Sequence, residues 1–201
     1  MGVFYFPSDF VYWTKVKNHD EIKKVWMNEV KNSKGTDHVS LINGKTSYHT
    51  EGVNFLLENS NFLDNVVWEP LNEVIENVTP KIKFKASYVA KAWFSEYDVG
   101  GSVKYHNHVG HPIICQEETF YSSISLIYIL HDENIKNQTV FTAPVNSVYK
   151  TGVINFETKN VEEISEGSVI IFPSSLMHKV DPIEKSGRVI VSMNIDCSFE
   201  D

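Results

Sequence analysis

Beyond Pro80 the chain breaks into short runs rich in β-branched and aromatic residues, at 81–95, 103–108, 120–131, 138–145, 151–158, 168–173 and 188–196, with polar turns between them. Strands at this regular spacing predict a sandwich or barrel. The front of the chain reads differently. Residues 3–16 are strand-like with a turn at Pro7-Ser8-Asp9, and Ile22, Val25, Trp26 and Val30 recur at the spacing of an amphipathic helix over 20–30. Residues 53–78 repeat the helical signal as one or two helices broken near Pro70, while 32–52 is polar and glycine-bearing, a loop with a short strand. Helices confined to the front predict a mostly β fold with α, its helices laid against one face of a jelly-roll-like double sheet. The expectation is one domain over 1–201, with 1–80 as helical support and 81–198 as the β core.

Composition narrows the function. A formal charge of −8 argues against a broad footprint for nucleic acid, whose phosphates need clustered Lys and Arg. No window approaches the ~20 apolar residues of a membrane span, and MGVFYFPSDF lacks the charged start and cleavage site of a signal peptide. The expectation is a cytoplasmic protein with no nucleic-acid or membrane partner. Cys115 and Cys197 stand apart without CxxC spacing, which predicts reduced thiols rather than a zinc knuckle or disulfide framework.

Three features carry the chemistry. In Tyr105-His106-Asn107-His108 the two histidines alternate, so a strand would present both imidazoles on one face to a single ion. Far along the chain, an apolar strand and a Pro173-Ser174-Ser175 turn precede His178, which can return a third imidazole toward the pair. Ten residues later Arg188 opens a strand that is apolar at odd positions, with Arg188, Ser192 and Asn194 on the other face. Arg188 is the sole arginine among 18 basic residues, a candidate for the planar, bidentate grip on a carboxylate that lysine cannot provide. A charge directed into a sheet interior is costly unless paired, and a bound carboxylate would supply the pair.

The order of HxH, then SISLIYIL, then EGSVIIFPSSLMHKVDP, then GRVIVSMNI resembles the C-terminal core of the 2-oxoglutarate- and Fe(II)-dependent oxygenases, nearest the prolyl-hydroxylase-like branch. It covers roughly residues 88–196 and, more faintly, FPSDFVYW at the start. The resemblance implies a double-stranded β-helix, Fe(II) as cofactor and 2-oxoglutarate as cosubstrate. It also implies a dioxygenase that hydroxylates an amino acid, peptide or small metabolite with O2, releasing succinate and CO2. Position by position, His106 and His178 match the metal histidines and Arg188 the arginine that holds the distal carboxylate of 2-oxoglutarate. Tyr128 matches a strand tyrosine on the same carboxylate, and Ser192 falls with the cosubstrate-binding set. No catalytic residue is implied beyond the metal centre.

His108 departs from the family, standing where most members have Asp or Glu. As third ligand it would leave the ion its full +2 charge instead of +1, with consequences for iron retention and potential. Glu117, Glu118, Asp132 or water are the alternatives for that position. HPIICQEETF (111–120) and the helical front half are expected lid elements. Two other readings remain open: a three-histidine, cupin-like metal dioxygenase without 2-oxoglutarate, and a non-catalytic jelly-roll binding protein.

Overall fold

A computed structural model of the chain describes residues 2–5, 9–32, 35–38, 41–49, 58–79, 83–133, 139–147 and 150–200. Strands β1 (Gly2–Tyr5) and β2 (Phe10–Lys15) lead into helix α1 (His19–Asn32), followed by β3 (Thr36–His38) and β4 (Leu41–Thr46). Helices α2 (Ser60–Leu63) and α3 (Glu69–Asn77) flank a π-helical turn, Asp64–Trp68. The β core follows as β5 (Phe84–His106), β6 (Ile113–Cys115), β7 (Glu118–His131), β8 (Thr139–Ser147), β9 (Lys150–Glu157), β10 (Ser168–Pro173), β11 (Met177–Val180) and β12 (Arg188–Phe199). No described helix is long and apolar enough to cross a membrane, and Cys115 and Cys197 are free.

The strands run β1-β2-β10-β7-β12-β5-β11-β8-β9, with β4 also on β5 and β6 on β7. This sheet is folded over on itself because β5 belongs to two layers. Its first part pairs with β12 up to Tyr97 opposite Arg188, and its last part pairs with β11, Val103 opposite Val180 and His106 opposite His178. Gly100 and Gly101 make the transition: Gly100 has φ +78, and a Cβ on Gly101 would lie 2.7 Å from the Asp98 carbonyl oxygen. That is a conformation and a clearance that favour glycine. The jelly roll with helices on one face is therefore present as expected, although the described strand residues of the 81–95 and 103–108 runs belong to one strand, Phe84–His106.

Alternation along the strands sorts side chains into two cores. Outward residues such as Leu126, Tyr128, Val169, Ile171, Val191 and Met193 pack with Ile22, Trp26, Phe62 and Val66 of the helical layer. Inward residues such as Ile127, Ile129, Phe141, Ile170, Phe172 and Ile190 fill the space between the two layers of the roll. Two local readings change. Pro70 does not break the helical stretch, because the π turn lets the Glu69 N–H bond the Asp64 carbonyl and seats Pro70 in the first turn of α3, where its missing N–H costs nothing. The 32–52 segment contains a six-residue strand, β4, whose register shifts at Asn43 (φ +47). Residues 53–57, the start of the expected second helical stretch, lie outside the described residues.

Helix α1 is tied to the roll by one carboxylate. Glu166 accepts from Lys23 Nζ (2.5 Å), the Asp132 N–H (2.8 Å) and His131 Nδ1 (2.9 Å), and contacts His19 Nε2 at 3.3 Å. Burial alone would raise this carboxyl, but the hydrogen bonds outweigh it and hold its pKa at about 2. Since the folded value lies below the ordinary 4.5, its stabilisation is full above pH 4.5 and lost as the pH falls toward 2. Glu166→Gln is expected to lower the urea midpoint at pH 7 and to flatten the loss of stability between those pH values. An acid-denaturation curve parallel to that of the unaltered protein would contradict the assignment.

Candidate metal centre

His106 ends β5 and His178 lies opposite it on β11, while His108, two residues past the strand end, is anchored by its own N–H on the Ser174 carbonyl (2.9 Å). The three rings converge, with centroids 4.2 Å apart for His106 and His178, 4.9 Å for His108 and His178 and 5.1 Å for His106 and His108. One nitrogen from each lies within 4.8 Å of the others. The expected triad is assembled. Among the described residues no carboxylate joins it: Glu118 is engaged by Lys85 and Ser198, Asp132 lies near Arg188, and Glu117 is exposed at a hairpin tip.

What the other ring nitrogens do decides whether the triad can hold an ion. His106 Nδ1 lies 2.8 Å from the Lys104 carbonyl oxygen, and His178 Nδ1 lies 3.1 Å from that of Leu176. A carbonyl only accepts, so each Nδ1 carries a proton, and in the neutral ring each Nε2 keeps its lone pair. His108 Nδ1 meets the Asn194 side-chain oxygen at 2.8 Å, with Ser125 Oγ at 3.1 Å. Burial, reinforced by the neighbouring imidazoles, lowers His108 to about 4 and His178 well below its ordinary value, so both are neutral near pH 7. Neutral imidazoles with Nδ1–H held by an acceptor are the donor set a divalent transition metal requires.

The triad forms one wall of a cavity of about 350 Å³. Trp93, Ser95 and Tyr97 of β5 and Ile190, Ser192 and Asn194 of β12 line it, as do Tyr48, Val103 and Val109. Arg188 shares the inward face of β12 with Ser192 but lies deeper, fully buried, donating from one Nη to Thr139 Oγ1 (3.3 Å) with its guanidinium carbon 5.2 Å from the Tyr97 ring centre. Burial lowers its pKa, while Tyr97 and Asp132 act the other way.

Tyr128 is not brought to the site. It faces outward from β7 into the helical layer, with its hydroxyl 2.6 Å from His19 Nδ1, because strand alternation sends Ile127 and Ile129 inward instead. The tyrosine beside Arg188 is Tyr97, its register partner, which the sequence reading missed. Its signal was present in the alternation Trp93, Ser95, Tyr97 upstream of the HxH pair. Of the expected lid, Ile113–Cys115 and Glu118–Phe120 form a hairpin whose Ile114 is 77% exposed.

Similar topology occurs in solved structures. A 2-oxoglutarate-Fe(II) oxygenase family protein from Burkholderia pseudomallei superposes with TM-score 0.57 at 7% identity, covering 92% of this chain and 83% of that one. The fold is that of the 2-oxoglutarate- and Fe(II)-dependent oxygenases. HygX from Streptomyces hygroscopicus, with nickel, 2-oxoglutarate and hygromycin B bound, gives TM-score 0.56 at 8% identity over 92% of this chain and 81% of its own. A Trichoplax adhaerens prolyl hydroxylase in complex with a hypoxia inducible factor peptide gives TM-score 0.52 at 12% identity over 92% and 82%. No family model matches the sequence, and no curated protein matches it.

In the metal-free protein, nitrogen-15 NMR at neutral pH is expected to show all three rings as Nδ1–H tautomers. Finding His106 or His178 protonated at Nε2 instead would mean that the triad faces the cavity with the wrong nitrogen.

Proposed function

We propose that this chain is an Fe(II)- and 2-oxoglutarate-dependent dioxygenase that hydroxylates a small molecule or peptide. The observation that carries the reading is the convergence of three imidazoles, each with Nδ1 engaged, at a cavity also lined by Tyr97, the register partner of the fully buried Arg188. His106, His108 and His178 would hold the ion by Nε2 and leave further coordination positions open. Arg188 would take the far carboxylate of 2-oxoglutarate in a bidentate grip, with Tyr97 and Ser192 beside the same molecule. Fe(II) bound there would supply the O2 chemistry that couples conversion of 2-oxoglutarate to succinate and CO2 with oxidation of a substrate C–H bond.

The chain's own residues set the terms of that chemistry. Phe141 and Phe172 pack on His178, with ring centres 5.7 Å and 4.8 Å away, and exclude water behind it. Trp93 stands 5.4 Å from His108 and Tyr48 5.1 Å from Trp93, together making an aromatic wall. Among the described residues lining the cavity there is no Asp, Glu, Lys or Arg; its polar side chains are uncharged hydroxyls and amides, such as those of Ser95, Tyr97, Ser192 and Asn194, together with the triad. This lining favours an uncharged reacting group, such as a residue within a peptide, over a free amino acid whose ammonium and carboxylate would be buried without counter-charges. Both peptide and small-molecule complexes occur among the fold's neighbours, in the Trichoplax hydroxylase and HygX.

A three-histidine dioxygenase without 2-oxoglutarate is favoured by one feature, the all-histidine donor set, and Arg188 separates the two readings. Under anaerobic conditions the unaltered protein is expected to bind about one Fe(II), and His106→Ala or His178→Ala to abolish that binding. Titration of 2-oxoglutarate into the iron complex is expected to lose roughly 2–5 kcal/mol in Arg188→Ala, as for a charge pair stripped of one partner. Arg188→Lys, which keeps the charge without the fork, should lose less. Unchanged metal content in both histidine variants would sink the triad. Unaltered 2-oxoglutarate affinity in Arg188→Ala, with no succinate formed in air, would leave the three-histidine reading.

A further inference from the structure

His108 is held unlike its two companions. His106 and His178 each bond a backbone carbonyl two residues upstream, so their orientation comes from their own stretch of chain. Behind His108 three other segments meet. Asn194 of β12 and Ser125 of β7 are register partners on the inward face, and Ser125 Oγ lies 3.3 Å from Asn194 Oδ1 and 2.9 Å from Ser174 Oγ in the β10–β11 turn. Ser125 and Ser174 are fully buried, and the Trp93 ring borders the imidazole as well.

The amide of Asn194 has two faces with opposite consequences. Its oxygen accepts, which places the proton on His108 Nδ1 and turns a bare Nε2 toward the other rings. Its nitrogen donates, which would leave Nδ1 bare and direct an Nε2–H at the ion. Only the first arrangement ligates, and it is the one present, with Oδ1 2.8 Å from Nδ1.

We propose that Asn194 is the positioning residue that makes His108 a metal ligand, through its Oδ1 on His108 Nδ1. This rests on the triad reading above. A neutral acceptor leaves the site without negative charge, so a carboxylate at 194 would add charge through the imidazole and hold the ion at least as tightly. Removing the acceptor should weaken binding 10–100-fold, the usual cost of losing such a partner.

The test is anaerobic titration of Co(II) alone into the unaltered protein, Asn194→Leu, Asn194→Asp, His108→Ala and the double variant His108→Ala/Asn194→Leu, followed by calorimetry and visible absorption. Asn194→Leu is expected to lose about 10–100-fold in affinity. Asn194→Asp should bind as tightly as the unaltered protein or more so, with a shifted Co(II) spectrum. The double variant should bind no more weakly than His108→Ala, because Asn194 acts through that ring. Unaltered affinity in Asn194→Leu, additive losses in the double variant, or weaker binding by Asn194→Asp would each overturn the proposal, and the last decides even if Asn194→Leu does not fold. No Co(II) binding by the unaltered protein overturns the triad itself, a failure that is distinct from the others.

Discussion

The site depends on a single strand changing sheets. Up to Tyr97, β5 is held by β12; from Val103 it is held by β11. The crossing is pinned on both sides, the Gly100 N–H on the Ile183 carbonyl (2.8 Å) and the Ile183 N–H on the Gly101 carbonyl (3.0 Å). One strand therefore carries Tyr97 to Arg188 in one layer and His106 to His178 in the other. The three histidines and Tyr97, the register partner of the buried Arg188, line one cavity because the backbone between them can adopt a conformation that favours glycine. A side chain at Gly101 would strike main-chain oxygens of Asp98 and Asn43, which cannot yield without moving the strand.

Within this frame, alternation decides which side chains meet. One face of β12 gives Val189, Val191 and Met193 to the helical layer, and the other gives Arg188, Ile190, Ser192 and Asn194 to the interior. The inward face is a graded surface: a buried cation at its deep end, a hydroxyl in the middle, and an amide at the end that meets His108. A charge as deep as Arg188 is tolerable only in polarisable, hydrogen-bonding surroundings. Tyr97, Thr139 and the nearby Asp132 provide them.

The residues legible in the sequence were those whose signal is periodic. Period-two spacing placed His106 with His108 and separated Arg188 and Ser192 from the apolar face of β12, and the Pro173–Ser175 turn aimed His178 back at the pair. Less legible were places where turn chemistry serves inside an element. Asn43-Gly44 falls in the stretch read as loop with a short strand, yet lies within β4 as an irregularity, and the runs 81–95 and 103–108, read as two, are joined through Gly100-Gly101 into one strand. Tyr128 was misplaced by the parity of strand register, since one residue along a strand exchanges the interior for the outer face. The hydrogen bonds of the three Nδ1 atoms were beyond sequence reading: those of His106 and His178 depend on how each ring turns toward a carbonyl two residues upstream, and that of His108 joins a side chain that only the closed roll brings to it.

On the proposed function, three Nε2 atoms share one ion in a cavity that also admits 2-oxoglutarate. Crystals grown anaerobically with Mn(II) and 2-oxoglutarate test it directly, through the anomalous signal of the metal. One peak is expected at about 2.1–2.2 Å from Nε2 of His106, His108 and His178, slightly beyond the Zn–N distance, with density for 2-oxoglutarate running from the metal to Arg188. A peak bound through Nδ1, a peak elsewhere, or 2-oxoglutarate lying away from Arg188 would contradict it.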